Sequence, residues 1–271
     1  MKIQFKQKYS EQSTCYVVDW LAQNIDLSKM KIKKTIDLGG LWITRSNQKK
    51  KKRIKKIKTQ IMHADKVEFL YDSNLSFVDE QLAIEVTKEK HFGVWYKPAS
   101  MLSNDTPFSD KGSIAAIIRK KYKGCYLIQR LDREVSGLML VAYTKNMAAY
   151  FSKQLKENKI GKFYQAQLYG PIESNGQIDF KLDGKDALTT YSVVGQTDNM
   201  TNVEIQIHTG RFHQIRRHFD MLGFPVMGDP RYGVDNKNKD GIKLVCYRCE
   251  FEHPVGGHPK SITAPVGNLL F

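Results

Sequence analysis

Gln129-Arg130-Leu131-Asp132-Arg133-Glu134-Val135-Ser136-Gly137-Leu138 sets one aspartate between two arginines, four residues after the apolar run Tyr126-Leu127-Ile128. A second apolar run, Leu138-Met139-Leu140-Val141-Ala142, follows Gly137. Apolar run, polar turn with glycine, apolar run reads as strand, loop, strand. An aspartate at a strand end beside two guanidiniums suits a nucleophile or a general base. A turn aspartate making only local backbone hydrogen bonds is the plainer reading of the same residue. The rest of the chain has to decide.

The chain has 271 residues, enough for one large domain or for a small one joined to a medium one. Hydrophobic content of 41% and charged content of 26% are ordinary for a globular protein. No apolar run approaches a membrane span, and Met1-Lys2-Ile3-Gln4-Phe5-Lys6 has no signal-peptide core. Four cysteines without a secretory signal favour a reducing cytoplasm. The net charge of +15 points to a polyanionic partner. It is unevenly spread: residues 1 to 75 hold 17 Lys and Arg against 7 Asp and Glu, a net of +10, which leaves +5 for the other 196. We therefore expect a basic module at 1–75, a linker at 76–90 and a larger body at 91–271.

In the basic module, Thr14 to Asn24 puts Tyr16, Val17, Trp20 and Leu21 on one helical face. Asp26 or Ser28 can cap a second helix carrying Met30, Ile32 and Ile36, and Gly39-Gly40 can end it. Leu41 to Thr44 and Lys66 to Tyr71 read as strands. Between them lie Arg45, Lys49, Lys50, Lys51, Lys52, Arg53, Lys55, Lys56 and Lys58 with no acidic residue among them. Such a run binds phosphates through counterion release without reading bases. A solvated loop is compatible with the same residues.

In the body, Phe92 to Lys97 is a strand stopped by Pro98. Ser113 to Lys123 and Asn146 to Asn158 have helical spacing, the second through Met147, Tyr150, Phe151 and Leu155. Gly161 to Gly170 alternates as a strand with Tyr164, Ala166 and Leu168 on one face, and Thr189 to Val194 and Asn202 to His208 are further β-like runs. His208 to His218 turns into a helix ended at Gly223, with Phe212, Ile215, Phe219 and Leu222 as the expected buried stripe and His213, Arg216 and Asp220 on another face. Many strands with few helices between them predict an α+β body, with helices flanking a mainly antiparallel, mixed sheet. Cys246-Tyr247-Arg248-Cys249 is weak as a zinc signal, because it is a single ligand pair and a strand would put its thiols on opposite faces.

Residues 14 to 72 resemble the small RNA-binding module of ribosomal protein S-four, with a longer lysine-rich insertion. Residues 92 to 254 are similar to the RluA-type family of RNA pseudouridine synthases. The stretches that carry the likeness are Lys97-Pro98-Ala99; Arg130-Leu131-Asp132 with Ser136-Gly137-Leu138; Lys162-Phe163-Tyr164; Thr209-Gly210-Arg211 with His213-Gln214-Ile215-Arg216; and Gly228-Asp229-Pro230 with Tyr232-Gly233. The run from Leu244 to Pro254 fits as well. The family usually has His where Gln129 stands and Thr where Val135 stands.

The resemblance implies isomerisation of a uridine within RNA. The bond from nitrogen to the sugar breaks, and carbon five of uracil rebonds to the same sugar. It makes Asp132 the essential carboxylate, attacking the anomeric carbon or removing the neighbouring sugar proton. Tyr164 would stack on uracil and could also take the carbon-five proton, and Arg216 would pair with Asp132. Leu244 would line the uracil pocket, with Arg211 and His213 also binding substrate. Arg130 would fill the stack that the extruded uridine leaves. Neither metal nor cofactor is implied. The expected partner is RNA, ribosomal RNA before tRNA, with no membrane and no obligate protein partner, the chain acting as a monomer. An inactive RNA-binding or ribosome-assembly factor is the competing expectation.

Overall fold

Every side chain from Phe92 to Lys97 is buried, and the strand stops where Pro98 has no N–H to give the next sheet hydrogen bond. A strand buried on both faces has to lie inside a sheet that is covered on both sides. The computed structural model describes residues 1–73, 75, 79–197 and 199–271. It divides into two compact units, Met1–Phe77 with Asn104–Ala116, and Val78–Ser103 with Ile117–Phe271.

In the first unit, β1 (Lys2–Lys8), β2 (Cys15–Tyr16), α1 (Val17–Asn24), α2 (Lys29–Leu38), β3 (Leu41–Thr44), β4 (Lys52–Ile54), β5 (Gln60–Ile61) and β6 (Lys66–Asp72) follow in order. An antiparallel sheet runs β1-β6-β3-β4, and β2 pairs with β5. Val17, Trp20 and Leu21 of α1 and Ile32 and Ile36 of α2 share one core with Leu41, Ile43, Val67 and Phe69 of the sheet. Ser28 caps α2 by accepting from the Lys31 N–H at 3.4 Å, and Gly39 ends it at φ +95°.

Two expectations are corrected here, and one is refined. Tyr16 is not on the buried face of α1: it is extended, pairs with Gln60 and is exposed, so the helix begins at Val17. Met30 is carried by α2 as expected, in its first turn and on its exposed side. The basic run is not a plain loop, because β4 within it pairs with β3. Ile54 packs on the core, and the Arg53 guanidinium lies 4.3 Å from the Trp42 ring centroid.

The second unit contains β7 (Ile84–Lys88), β8 (Phe92–Lys97), β9 (Tyr126–Leu127), β10 (Ser136–Ala142), α4 (Lys145–Lys156), β11 (Gly161–Tyr169), β12 (Gly176–Ile178), β13 (Thr189–Thr197), β14 (Met200–Ile207), α5 (Gln214–Met221), β15 (Leu244–Glu252) and β16 (Pro259–Thr263). α3 (Ile114–Lys121) precedes β9, and the Ser113 hydroxyl accepts from its Ala116 N–H at 3.0 Å. Residues 76–78, at the head of the expected linker, lie outside the described residues. Farther along it, Ile84 to Lys88 is a sheet strand paired with β8.

The sheet runs β12-β13-β14-β11-β15-β10-β8-β7, with β9 joining β10 and β16 joining β15. Among the described residues its neighbouring strands are antiparallel except β10 and β15. The fold is therefore α+β on a mainly antiparallel, mixed sheet. Phe151 of α4 is fully buried edge-on against Phe92 and Phe251, which seats that helix on β8 and β15.

Candidate active site

Asp132 lies in the loop that leaves β9 and enters β10. The loop can enter only through a glycine. Gly137 pairs with Lys97 on one side and with Cys246 on the other, at φ +128°. A Cβ there would lie 2.4 Å from the backbone nitrogen and oxygen of Cys246. Leu131 and Val135 are buried on either side of the aspartate, and the Val135 N–H donates to the Asp132 carbonyl at 3.2 Å. The Ser103 hydroxyl donates to the Leu131 carbonyl and accepts from the Leu131 N–H at 3.1 Å. Lys97 supports the same loop. Its fully buried Nζ donates to the carbonyls of Met101 at 2.8 Å, Pro98 at 3.0 Å and Arg133 at 3.3 Å. Burial pushes the Lys97 amine down to about 7, against the opposing pull of Glu134 and Asp132.

The guanidinium that meets Asp132 comes from α5. Arg216 Nη1 donates to Asp132 Oδ2 at 3.1 Å, while Arg133 pairs with Glu134 at 3.1 Å and Arg130 is exposed on the loop. Arg216 was expected on a face away from the buried stripe, and this is corrected: it is 1% exposed, whereas Phe212 is 59% exposed. The cause is where the helix begins. His213 adopts a left-handed conformation at φ +52°, and α5 starts only at Gln214, so Phe212 never joins its helical frame. Ile215, Arg216, His218 and Phe219 then face inward.

Arg216 is buried because a second carboxylate receives it. Its Nε and Nη2 donate to the two oxygens of fully buried Asp229 at 2.7 and 2.9 Å, a bidentate pair. Burial raises the Asp229 carboxyl, but Arg216 and the N–H groups of Arg231 and Tyr232 outweigh it and hold it below its ordinary value. That leaves Nη1 for Asp132, with Glu134 Oε2 at 3.5 Å and His213 Nε2 at 3.3 Å from the same nitrogen. Since arginine can only donate, His213 Nε2 accepts, and Nδ1 carries the proton toward the Tyr232 hydroxyl at 3.1 Å. Burial holds the imidazole below its ordinary value, Asp132 opposing. Asp132 itself is half-buried, and among the described residues its Oδ1 has no hydrogen-bond partner.

β11 and β15 supply the apolar wall. Tyr164 stands opposite Cys246 and Ala166 opposite Leu244, so Tyr164, Cys246 and Leu244 share one face. Burial, then Cys246 and Asp132, push the Tyr164 phenol well above its ordinary range. The expectation that the two cysteines face apart is also corrected. The register shifts between Phe163 and Tyr164, leaving Tyr247 as an extra residue, so Cys249 opposite Lys162 returns to the face of Cys246. Burial raises both thiols, Cys246 to about 12, which keeps them protonated.

The structure brings Asp132, Arg216 and His213 into contact, with Tyr164 and Leu244 on the adjoining sheet face. Arg211 is turned outward, its Nε donating to the Asp186 carbonyl at 2.8 Å. Gln129 Nε2 donates to the Leu138 carbonyl at 3.3 Å, and its Oε1 is buried without a partner. The nine basic residues from Arg45 to Lys58 separate into two sets. Arg45, Lys51, Arg53 and Lys55 pair with Asp65, Glu68 and Asp110. Lys49, Lys50, Lys52, Lys56 and Lys58 are exposed and make no ion pair among the described residues. Sequence reasoning assigned no role to Asp229, Lys97 or Glu134. Its only signal for the first two was their presence in short Gly-Asp-Pro and Lys-Pro stretches.

Residues 91–221 match the family model for RNA pseudouridylate synthase. A dual-specificity RNA pseudouridine synthase RluA of Pasteurella multocida is 32% identical over 200 residues, 65% of this chain and 90% of that protein. The ribosomal large subunit pseudouridine synthase D of Neisseria meningitidis is 27% identical over 234 residues, covering 74% of this chain and 63% of that one. The fold is shared with human RNA pseudouridylate synthase domain containing 1. The TM-score is 0.58 at 23% identity, over 72% of this chain and 85% of that one.

Proposed function

This chain belongs to the RluA-type RNA pseudouridine synthases, isomerases that act on RNA, and from that premise we propose that Asp132 is its essential carboxylate. The observation that carries the proposal is the Asp132–Arg216–Asp229 array. Asp229 balances the charge of Arg216, and the remaining guanidinium N–H fixes one oxygen of Asp132. The other oxygen, Oδ1, is the atom that meets the sugar, attacking the anomeric carbon or removing the adjacent proton. The bond to nitrogen breaks, uracil turns, carbon five bonds to the same sugar, and its proton leaves for the medium as the nitrogen gains one. No atom is lost.

Tyr164 stacks on the uracil and Leu244 lines the pocket beside it. The phenol is held protonated, which suits stacking and argues against Tyr164 as the base for the carbon-five proton. Exposed Arg130 fills the stack left by the extruded uridine, and Lys49, Lys50, Lys52, Lys56 and Lys58 hold RNA phosphates. Four free cysteines are consistent with a reducing cytoplasm. Ribosomal RNA is the proposed target, with support from the relative named for the large ribosomal subunit. An intact carboxylate array is not what a lapsed, purely RNA-binding descendant needs.

The test is to map pseudouridines in ribosomal RNA and tRNA from cells lacking the gene, then from cells given back the wild type or Asp132→Asn. A ribosomal site that disappears, returns with the wild type and stays absent with Asp132→Asn is expected. Its return with Asp132→Asn would remove Asp132 from the chemistry.

A further inference from the structure

The most exposed large ring beside the array has no role in the chemistry above. Phe212 is 59% exposed, directly before α5. A single exposed phenylalanine needs no explanation on a protein surface. This one differs in how it is held. Its ring stacks on His213 with centroids 3.7 Å apart and planes 21° from parallel. His213 is itself fixed from two sides, by Tyr232 at 3.1 Å and Arg216 at 3.3 Å, and its Nε2 lies 3.6 Å from Asp132 Oδ2.

The backbone beneath the ring is fixed too. Gln214 accepts from the Arg211 N–H at 3.0 Å and the Thr209 hydroxyl at 2.7 Å, and donates to the Leu188 carbonyl at 3.0 Å. Arg217 donates to the Phe212 carbonyl at 3.4 Å. The Arg231 guanidinium lies over this ring at 6.0 Å from its centroid and over the Tyr232 ring at 5.5 Å, exposed and without an ion pair among the described residues. An exposed aromatic ring next to an exposed guanidinium that no carboxylate engages among the described residues is the combination that holds single-stranded nucleic acid, one group for a base and the other for a phosphate.

We propose that Phe212 is a stacking platform for the base adjacent to the isomerised uridine, with Arg231 taking a phosphate of the same strand. The proposal rests on the RNA reaction described above and adds the neighbouring nucleotide to what the site recognises. One ring face is covered by His213, which leaves the outer face for the base. The platform is one ring removed from the imidazole that borders Asp132, as a nucleotide next to the target requires. Because every base offers a π-face, it favours unpaired neighbours over any particular sequence.

The probe is a hairpin RNA with one loop uridine flanked on both sides by 2-aminopurine. Wild type and Phe212→Tyr should quench its fluorescence on binding. Phe212→Leu, which keeps apolar volume but has no ring, should quench little and bind roughly fivefold to a hundredfold more weakly, the range that loss of one base–aromatic stack produces. Arg231→Gln should lower the slope of log affinity against log salt by about one. With the mapped target RNA, the Phe212→Leu loss should fall on the half-saturating concentration more than on the plateau rate. Equal quenching and affinity in wild type and Phe212→Leu would overturn the platform. Failure of the reaction itself shows separately, as the absence of any lost pseudouridine in the mapping.

Discussion

Arg216 reaches Asp132 with the one guanidinium nitrogen that Asp229 leaves over. The contact to Asp132 is thus the longer part of a three-residue device, 3.1 Å against 2.7 and 2.9 Å. Its shorter part is buried structure. Charge and position are decided at Asp229, and Asp132 receives the result.

Asp132→Asn should lower single-turnover isomerisation by about 10⁴-fold or more, as loss of a nucleophile or base does, while RNA affinity stays near wild type. The shape and one acceptor oxygen remain, so the fold should survive. Turnover within tenfold of wild type in a rapid-quench assay would contradict the assignment.

Arg216→Ala should unfold more readily as well as lose activity. Removing one partner of a buried pair leaves the other charge uncompensated, at a cost of about 3–5 kcal/mol. The sequence alone placed Arg216 on a face away from the buried stripe, where truncation would leave the core intact, and the buried Asp229 reverses that expectation. Arg216→Lys should recover part of the stability and little of the rate, because an ammonium cannot serve both oxygens of Asp229 and still reach Asp132. Thermal unfolding beside single-turnover rates separates the two effects.

Lys97→Met should change how stability depends on alkaline pH. In the folded chain burial brings the Lys97 amine to about 7, below its ordinary 10.5. The unfolded chain therefore binds more protons between those values, and stability gains as pH rises through that window. Relative to Lys97→Met, wild type should become more stable from pH 7 toward pH 10. A constant difference in urea midpoints across that range would mean that Lys97 keeps its proton in the fold. Its three carbonyl acceptors are the physical reason it could.

Neutralising Lys49, Lys50, Lys52, Lys56 and Lys58 to glutamine should lower the salt slope of RNA binding, by up to about five if each holds a phosphate. The same change at Arg53 should act through folding instead. Its Nη2 donates to the Thr106 carbonyl at 2.7 Å and its guanidinium covers Trp42. Salt titrations of binding, with unfolding curves for each variant, distinguish the sets.

Much of this was legible in the chain itself. Continuous apolar runs gave β8 and β10, alternation gave β11, a β-like run gave β14, and the short motifs brought Asp132 together with Arg216. What stayed hidden depended on single backbone conformations or on distant partners. One left-handed residue, His213, moved the start of α5 and with it the faces of Phe212 and Arg216. One extra residue at Tyr247 returned Cys249 to the face of Cys246. Periodicity assumes an unbroken frame and cannot register either event. Asp229 stood in a noted Gly-Asp-Pro stretch, but its role was hidden for another reason: nothing local distinguishes a carboxylate that will be buried under an arginine from one that will meet water.

The parallel contact between β10 and β15 has a consequence for the timing of synthesis. Gly137 pairs with Cys246, 109 residues later in the chain, and Arg216 follows Asp132 by 84. During translation the carboxylate loop emerges well before either of its long-range supports. Closing so distant a contact is slow compared with forming local hairpins. A nascent chain therefore displays its lysine-rich stretch before the loop of Asp132 has its long-range supports. The last strand to join the interior of the sheet is the one that completes the surroundings of Asp132.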